Sequence, residues 1–214
     1  MKLHFKLYLI LFFLSAYGFS QKEKEKNSAF QSYPELKIYG GIPVELGNNF
    51  LHNGHDPQFD FGFYISPFSI YHINFGIGFD YSRFKVSDVS LVGNGTRSNT
   101  VSIYGYLSYP ISVSDKIDFE PKLGVGGTAI RQKRNDQNFG EMNGVIYNLG
   151  ANLEYKLDHP LAIFMGADYF YSKFNVAAPD DYKNMFENVG KINVFAGIKF
   201  NFRKKKNPQE ESDN

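Results

Sequence analysis

Apolar and polar residues alternate along most of this chain. In KINVFAGIKFNF, Ile192, Val194, Ala196, Ile198, Phe200 and Phe202 share one parity, and Lys191, Asn193, Phe195, Gly197, Lys199 and Asn201 the other. A period of two sends successive side chains to opposite faces of a strand, whereas a helix repeats every 3.6 residues. The pattern recurs and predicts eight strands, over Glu35 to Leu46, Gln58 to Ser66, Tyr71 to Phe84, Asn99 to Tyr109, Lys116 to Ile130, Val145 to Leu157, Leu161 to Phe174 and Lys191 to Phe202.

The connections alternate in length. GNNFLHNGHDP, KVSDVSLVGNGTRS, RQKRNDQNFGEMNG and NVAAPDDYKNMFENVG follow strands one, three, five and seven, while PFSI, PISVSD and DHP follow strands two, four and six. Long external loops opposite tight periplasmic turns are the asymmetry of an outer-membrane barrel. Asn-Gly pairs at Asn53, Asn94 and Asn143, and prolines at Pro67, Pro110 and Pro160, supply turn chemistry in these connections. The expected fold is all-β, an eight-stranded antiparallel up-and-down transmembrane β-barrel in the outer membrane with both termini periplasmic.

Parity then separates two faces. Leu36, Ile38, Ile42 and Val44, then Phe59, Phe61, Phe63 and Ile65, then Ile73, Phe75, Ile77 and Phe79, then Val101, Ile103 and Leu107, and their counterparts on later strands form an outward apolar belt. Aromatic rims are expected at Tyr71, Tyr109, Phe119, Tyr155 and Phe202 on the periplasmic side, and at Tyr81, Phe84, Tyr169, Tyr171 and Phe174 outside. The inward parity carries many glycines and charges of both signs. Lys37, Asp60, His72, Asp80, Glu120, Lys122, Glu154, Asp168 and Lys199 are expected to form a polar plug, because eight strands leave a lumen that side chains just fill.

Composition changes the picture at the ends. Lys2 and Lys6, the apolar run Leu7 to Leu14, and the small residues Ala16, Gly18 and Ser20 read as a signal peptide over residues 1–20. Residues 21–34, which begin QKEKEK, read as a flexible periplasmic lead-in, residues 35–202 as the barrel and residues 203–214 as a charged periplasmic tail. The absence of Cys excludes a lipidated N-terminal cysteine, a disulfide and a thiolate metal site, and a formal net charge of +1 argues against a nucleic-acid partner.

Candidate chemistry is sparse. His52, His55 and Asp56 in HNGHD offer two imidazoles and a carboxylate, a donor set for a loop metal site set against the ordinary reading of a solvated polar loop. Arg203, Lys204, Lys205 and Lys206 follow the last strand and offer cations to lipid phosphates or to a partner, against the reading of a solvated tail. The GIGFD and GVGG glycines lie within strands, so no phosphate-binding loop is formed, and YHINF places Asn74 where a lipid-modifying enzyme would need a serine. No catalytic residue and no cofactor is expected.

The leader ending FSQ, the eight glycine-rich alternating strands and the terminal FAGIKFNF resemble the outer-membrane β-barrel domain proteins of Bacteroidota, including the PorT-like members, some of which are linked to a secretion apparatus. The resemblance spans roughly Glu35 to Phe202, and the twelve residues after Phe202 depart from barrels that end on an aromatic. The resemblance implies the barrel architecture and carries no catalytic or binding motif across; the reading of the whole chain is a non-enzymatic, monomeric outer-membrane protein with a structural, adhesion or envelope-complex accessory role expected in its external loops. Its expected partners are outer-membrane lipid, the barrel-assembly machinery and an envelope or secretion-complex protein. The alternatives are a narrow channel for protons, ions or small apolar molecules, a soluble ligand-binding barrel, and a lipid-modifying enzyme.

Overall fold

The computed structural model describes residues 30–31, 34–134, 137–157 and 160–202. These form strands β1 (Phe30–Gln31), β2 (Glu35–Leu46), β3 (His55–Ile70), β4 (Ile73–Val86), β5 (Arg97–Ser108), β6 (Ile111–Ser114), β7 (Ile117–Arg134), β8 (Gln137–Lys156), β9 (Leu161–Phe174) and β10 (Asn188–Asn201), with short helices α1 (Phe50–Gly54), α2 (Val89–Val92) and α3 (Asp180–Glu187). Eight strands close a ring in the order β2, β3, β4, β5, β7, β8, β9, β10, every pair antiparallel, and β10 returns to β2 from Gly190↔Leu46 to Asn201↔Glu35. Sequence neighbours are spatial neighbours all round, so the barrel is up-and-down and the ring leaves no free edge.

The long strands are the eight that alternation predicts, but they turn in different places. PFSI is not a turn. β3 passes through Pro67 at a register shift between Ile65 and Phe68, where a missing N–H does not break the ladder, and the chain reverses at Tyr71 and His72, whose φ angles are 50° and 66°. Two successive left-handed residues are the hairpin geometry that matches strand twist. His72 is therefore an exposed turn residue and does not join the lumen plug.

Pro110 likewise interrupts a strand without ending it. β6 continues along β7 beyond the end of β5, with Ile111 opposite Phe119, and the chain turns only at Asp115 and Lys116. Within the expected lead-in, Phe30 and Gln31 pair with Ile70 and Ser69 of β3; residues 1–29, the signal-peptide reading among them, and the tail residues Arg203 to Lys206 lie outside the described residues.

At the opposite end, the expected long loop after strand five is mostly ladder. β7 and β8 stay paired as far as Arg134 and Gln137, and Asn143 and Gly144 lie opposite Ala129 and Thr128 rather than in a turn. Apolar alternation stops where the belt stops, whereas hydrogen bonding continues as long as a partner remains in register. The other three connections at this loop end carry α1, α2 and α3.

The outer wall is the expected apolar belt: Ile38, Ile42, Phe61, Ile65, Ile77, Ile103, Leu123, Leu149, Met165, Val194 and Ile198 are all exposed. Phe84 and Phe174 are exceptions to the expected outer rim. Both are buried inside the barrel, because they continue the inward parity of Asp80 and Ser82 and of Phe170 and Ser172.

Inside, large rings lie against glycines on the neighbouring strand. Tyr39 faces Gly62, Tyr104 faces Gly78 and Gly126, Tyr106 faces Gly76 and Gly124, and Phe164 faces Gly197. A Cβ on Gly78 would stand 2.5 Å from the Tyr104 ring, and one on Gly126 would overlap the Ile103 carbonyl oxygen. These glycines are the space that the rings fill. Gly126→Ala is expected to cost about 1–3 kcal/mol through overpacking against backbone. Gly105→Ala, where the added carbon meets nothing within 4 Å, is expected to be neutral; equilibrium unfolding of the two refolded variants checks the contrast.

Candidate functional site: the lumen and its cap

Three ion-pair networks brace the lumen at successive levels. Nearest the turn end, Lys37 of β2 reaches Glu120 of β7 and Glu154 of β8, and Lys199 of β10 holds Glu154 Oε2 at 2.9 Å and Glu35 Oε2 at 3.0 Å. Ser108 donates its hydroxyl proton to Glu120. At the middle, Lys122 Nζ lies 3.0 Å from Asp168 Oδ1 and donates to Tyr64 Oη at 2.9 Å and Asn152 Oδ1 at 3.0 Å, while Tyr64 donates to Asp168. The ammonium also sits 4.0 Å from the Tyr64 ring centroid and 4.9 Å from that of Phe195.

Nearer the loop end, Lys191 pairs with Asp80, and Asn193 Nδ2 donates to Asp60 at 2.8 Å and to Asp80 at 2.7 Å. Ser82 donates to Asp60 at 2.6 Å and Tyr39 to Asp80 at 3.3 Å. Two carboxylates here share one lysine, and the neutral donors Asn193, Ser82 and Tyr39 supply the remaining hydrogen bonds.

Between these levels the lumen is aromatic. Tyr39, Tyr64, Tyr104, Tyr106, Ile146, Phe164, Phe170 and Phe195 form one buried cluster, with Tyr39 and Phe195 centroids 4.6 Å apart and Tyr39 and Tyr64 centroids 5.1 Å apart. A second buried cluster closes the loop end. Phe50 and Leu51 of α1, Val92 of α2, and Phe84, Ile130, Phe174 and Val189 from the wall pack together there. Asn49 fixes the entry of α1, since its Oδ1 accepts from the Leu51 and His52 backbone N–H groups at 3.1 and 3.0 Å. The helix thereby turns its two large apolar residues inward as a cap.

Eight of the nine residues expected in the plug stand in the lumen: Lys37, Asp60, Asp80, Glu120, Lys122, Glu154, Asp168 and Lys199 are buried. His72 is the one that does not. Lys191, Asn193, Asn152 and Ser82 belong to the plug too, and their inward parity was the available signal. The aromatic filling was less visible, because the inward tyrosines follow the same parity as the charges but resemble rim residues in composition.

The HNGHD stretch does not assemble a metal site. His52 and Asp56 are exposed, whereas His55 starts β3 and turns inward, with Nε2 2.7 Å from Ser98 Oγ and Nδ1 3.4 Å from the Phe50 carbonyl oxygen. Among the described residues no group of three or more His, Asp or Glu side chains is arranged to hold a metal ion. The His55–Ser98 contact joins a base to a hydroxyl, but both residues are buried beneath the cap and a backbone carbonyl orients the imidazole. The pair braces α1 against β5.

Burial pushes the His55 imidazole below its ordinary value of 6.5. The folded cap therefore holds His55 neutral, while the unfolded segment binds a proton as pH falls below about 6.5. More protons bound in the opened state mean that stability is lost on acidification, from about 6.5 down to the depressed folded value. The protection factors of the Phe50 to Gly54 amides, which divide out the intrinsic pH dependence of exchange, are expected to fall between pH 7 and pH 5, and His55→Gln is expected to flatten that fall.

The central pair makes a sharper prediction. Lys122→Ala leaves Asp168 buried without its cation and is expected to destabilise by about 3–5 kcal/mol. Lys122→Met with Asp168→Leu, which removes both charges at similar volume, is expected to recover most of that loss. Urea unfolding of the single and double variants measures both.

Comparison with solved structures places this fold. Neisserial surface protein A superposes with a TM-score of 0.56 at 14% identity, over 83% of this chain and 100% of that one. The N-terminal β-barrel domain of Pseudomonas aeruginosa OprF gives 0.47 at 15% identity over 81% and 99%, and the attachment invasion locus protein Ail of Yersinia pestis gives 0.44 at 16% over 79% and 99%. No protein-family model matches the chain. No curated protein matches it either. What this chain shares with Neisserial surface protein A is the fold, a closed eight-stranded antiparallel barrel.

Proposed function

We propose that this chain is an integral outer-membrane barrel without catalytic activity, whose task is structural, adhesive or accessory to an envelope complex and is carried by the loop end. The observation that carries this reading is the pairing of an exposed apolar wall with a filled lumen. A soluble ligand-binding barrel would place its apolar residues inside around a cavity. Here Ile42, Ile77, Ile103, Leu149 and Met165 face out, and the interior holds cross-braced lysines and carboxylates packed among rings. A wall of that kind suits lipid, and a lumen of that kind suits rigidity.

The loop end carries α1, α2, α3 and the projecting β7–β8 hairpin, while the turn end has reversals such as Tyr71–His72 and Asp115–Lys116. In this reading the loops face outside and both termini the periplasm, with outer-membrane lipid and the barrel-assembly machinery as obligatory partners and an envelope or secretion-complex protein as the functional one. The FAGIKFNF strand and the glycine-rich pattern support a place among the Bacteroidota PorT-like barrels as part of this proposal.

Two measurements test it. With no native cysteine, a single cysteine at Asn94 is expected to label on intact cells with an impermeant maleimide and one at Asp115 only after the outer membrane is breached; the reverse pattern overturns the orientation. In planar bilayers the purified protein is expected to show no stable ohmic conductance, because eight strands enclose no water-filled channel. Reproducible openings whose ion selectivity changes with Glu120→Gln favour the narrow channel instead.

A further inference from the structure

An uncharged cleft opens at the loop end beside β2, β9 and β10. Its volume is about 290 Å³, at the bottom of the range for small-molecule sites, which limits an occupant to about one ring. It is lined by the Gly47–Asn49 turn, by Tyr169 and Tyr171 of β9, by Asn184 of α3 and by Asn188 at the start of β10. Gly190 makes room for it. This residue stands between Leu46 and Tyr171 in an outward cross-strand row, and a Cβ there would come no closer than 3.4 Å to its neighbours, an ordinary contact. Crowding does not require this glycine as it requires Gly126 in the lumen, and a side chain at 190 would grow into the cleft.

The polar groups of the cleft hold one another in place. Tyr171 donates its hydroxyl proton to Asn188 Oδ1 at 2.6 Å, and Asn188 Nδ2 donates to Asn184 Oδ1 at 2.6 Å. On the other side Asn53 Nδ2 donates to Asn48 Oδ1 at 2.7 Å. The oxygens of Asn48 and Asn184 are thus engaged, while their Nδ2 groups donate to no described residue. Donors already oriented in this way lose little freedom when a ligand accepts from them. Tyr169, the next outward residue after Met165 and Ala167, is 40% exposed and leaves ring surface open beside them.

The chemistry of a ligand follows from these groups. No lining residue is charged, and Lys173 and Glu187 alongside pair with each other at 3.2 Å, so a charged ligand finds no counter-ion. A purely apolar one would cover the two amides and leave their N–H groups without water or a partner. A sugar ring meets both conditions. Its hydroxyl oxygens accept from the Nδ2 groups, and its C–H face suits the electron-rich face of a tyrosine. We propose that this cleft binds a neutral pyranose ring, carried on a soluble glycan or on a glycolipid. This rests on the reading of the loop end as the external, interacting end and gives that end a ligand class.

The test uses the full chain folded in dodecylphosphocholine, since alkyl-glycoside detergents carry the ligand themselves. Saturation-transfer proton NMR reads the binding of methyl glucoside, methyl galactoside and methyl mannoside, and at least one is expected to bind. Tyr169→Ala and Gly190→Val are each expected to weaken that binding about tenfold, and Asn94→Ala, in another loop, to leave it unchanged; circular dichroism checks that the variants fold. Binding of none of the three sugars, or undiminished binding by either folded cleft variant, overturns the proposal. Glucuronate binding more tightly than methyl glucoside would overturn the assignment to a neutral ring, and cyclohexylmethanol binding as well as the sugars would overturn recognition through hydroxyls. In nanodiscs, a monohexosyl diacylglycerol bearing the bound sugar and retained over diacylglycerol identifies a lipid-borne ring; equal retention, with the free sugar still bound, identifies a soluble glycan. Orientation plays no part in the detergent measurement, so a reversed labelling pattern at Asn94 contradicts the external reading and leaves the cleft's own test standing.

Discussion

Everything inside this barrel depends on a fixed shortage of space. Eight strands enclose a lumen about as wide as the side chains that fill it, so a large residue on one strand requires a small one on the next. The chain meets that requirement by pairing tyrosine and phenylalanine with glycine across the ladder, as in Tyr104 between Gly78 and Gly126 and Tyr106 between Gly76 and Gly124. The outer wall imposes no such limit, and Gly105 and Gly127 stand there with nothing near. Ring and glycine therefore settle which strands can be neighbours and in what register.

The charges follow from the same limit. Once rings occupy the glycine positions, the remaining inward sites are too crowded for bulk water, and each lysine must find its carboxylate across the lumen. Lys37 spans from β2 to Glu120 on β7, Lys122 from β7 to Asp168 on β9, and Lys191 from β10 to Asp80 on β4. Such pairs are poor sources of net stability but heavily penalise any arrangement that separates them. The cap of Phe50, Leu51 and Val92 completes the closure at the loop end. With the interior committed to holding itself together, what the barrel presents to other molecules is its outer wall and its two ends.

Period-two alternation made the eight strands and most of the plug legible, because inside and outside differ in polarity at almost every step. It located β2 and β9 to the residue and left the turns ambiguous, since proline marks a bulge at Pro67 and an interruption at Pro110 as readily as a reversal. The turn at Tyr71 and His72 was hard to read from residue type, because a positive φ is uncommon for any residue other than glycine and the pair carries no Gly, Asn or Asp. Phe84 and Phe174 were legible in principle, as strict parity sends both inward, but composition suggested a rim. The failure of His52, His55 and Asp56 to converge reflects α1, a five-residue helix set by Asn49, which separates the two imidazoles.

The central claim is that the lumen is solid, and the accessibility of a residue at its heart tests this most directly. Ser102 is buried, and its hydroxyl is 2.9 Å from that of Thr128; cysteine replaces it with little change in shape, in a chain that has no other thiol. In the folded protein in liposomes, a small charged sulfhydryl reagent added to both sides should leave Ser102→Cys unmodified over a period in which Asn94→Cys reacts to completion, and should modify it fully after denaturation. Modification of the folded Ser102→Cys protein at a rate near that of the loop cysteine would mean that water and ions reach the middle of the barrel, and would contradict the account.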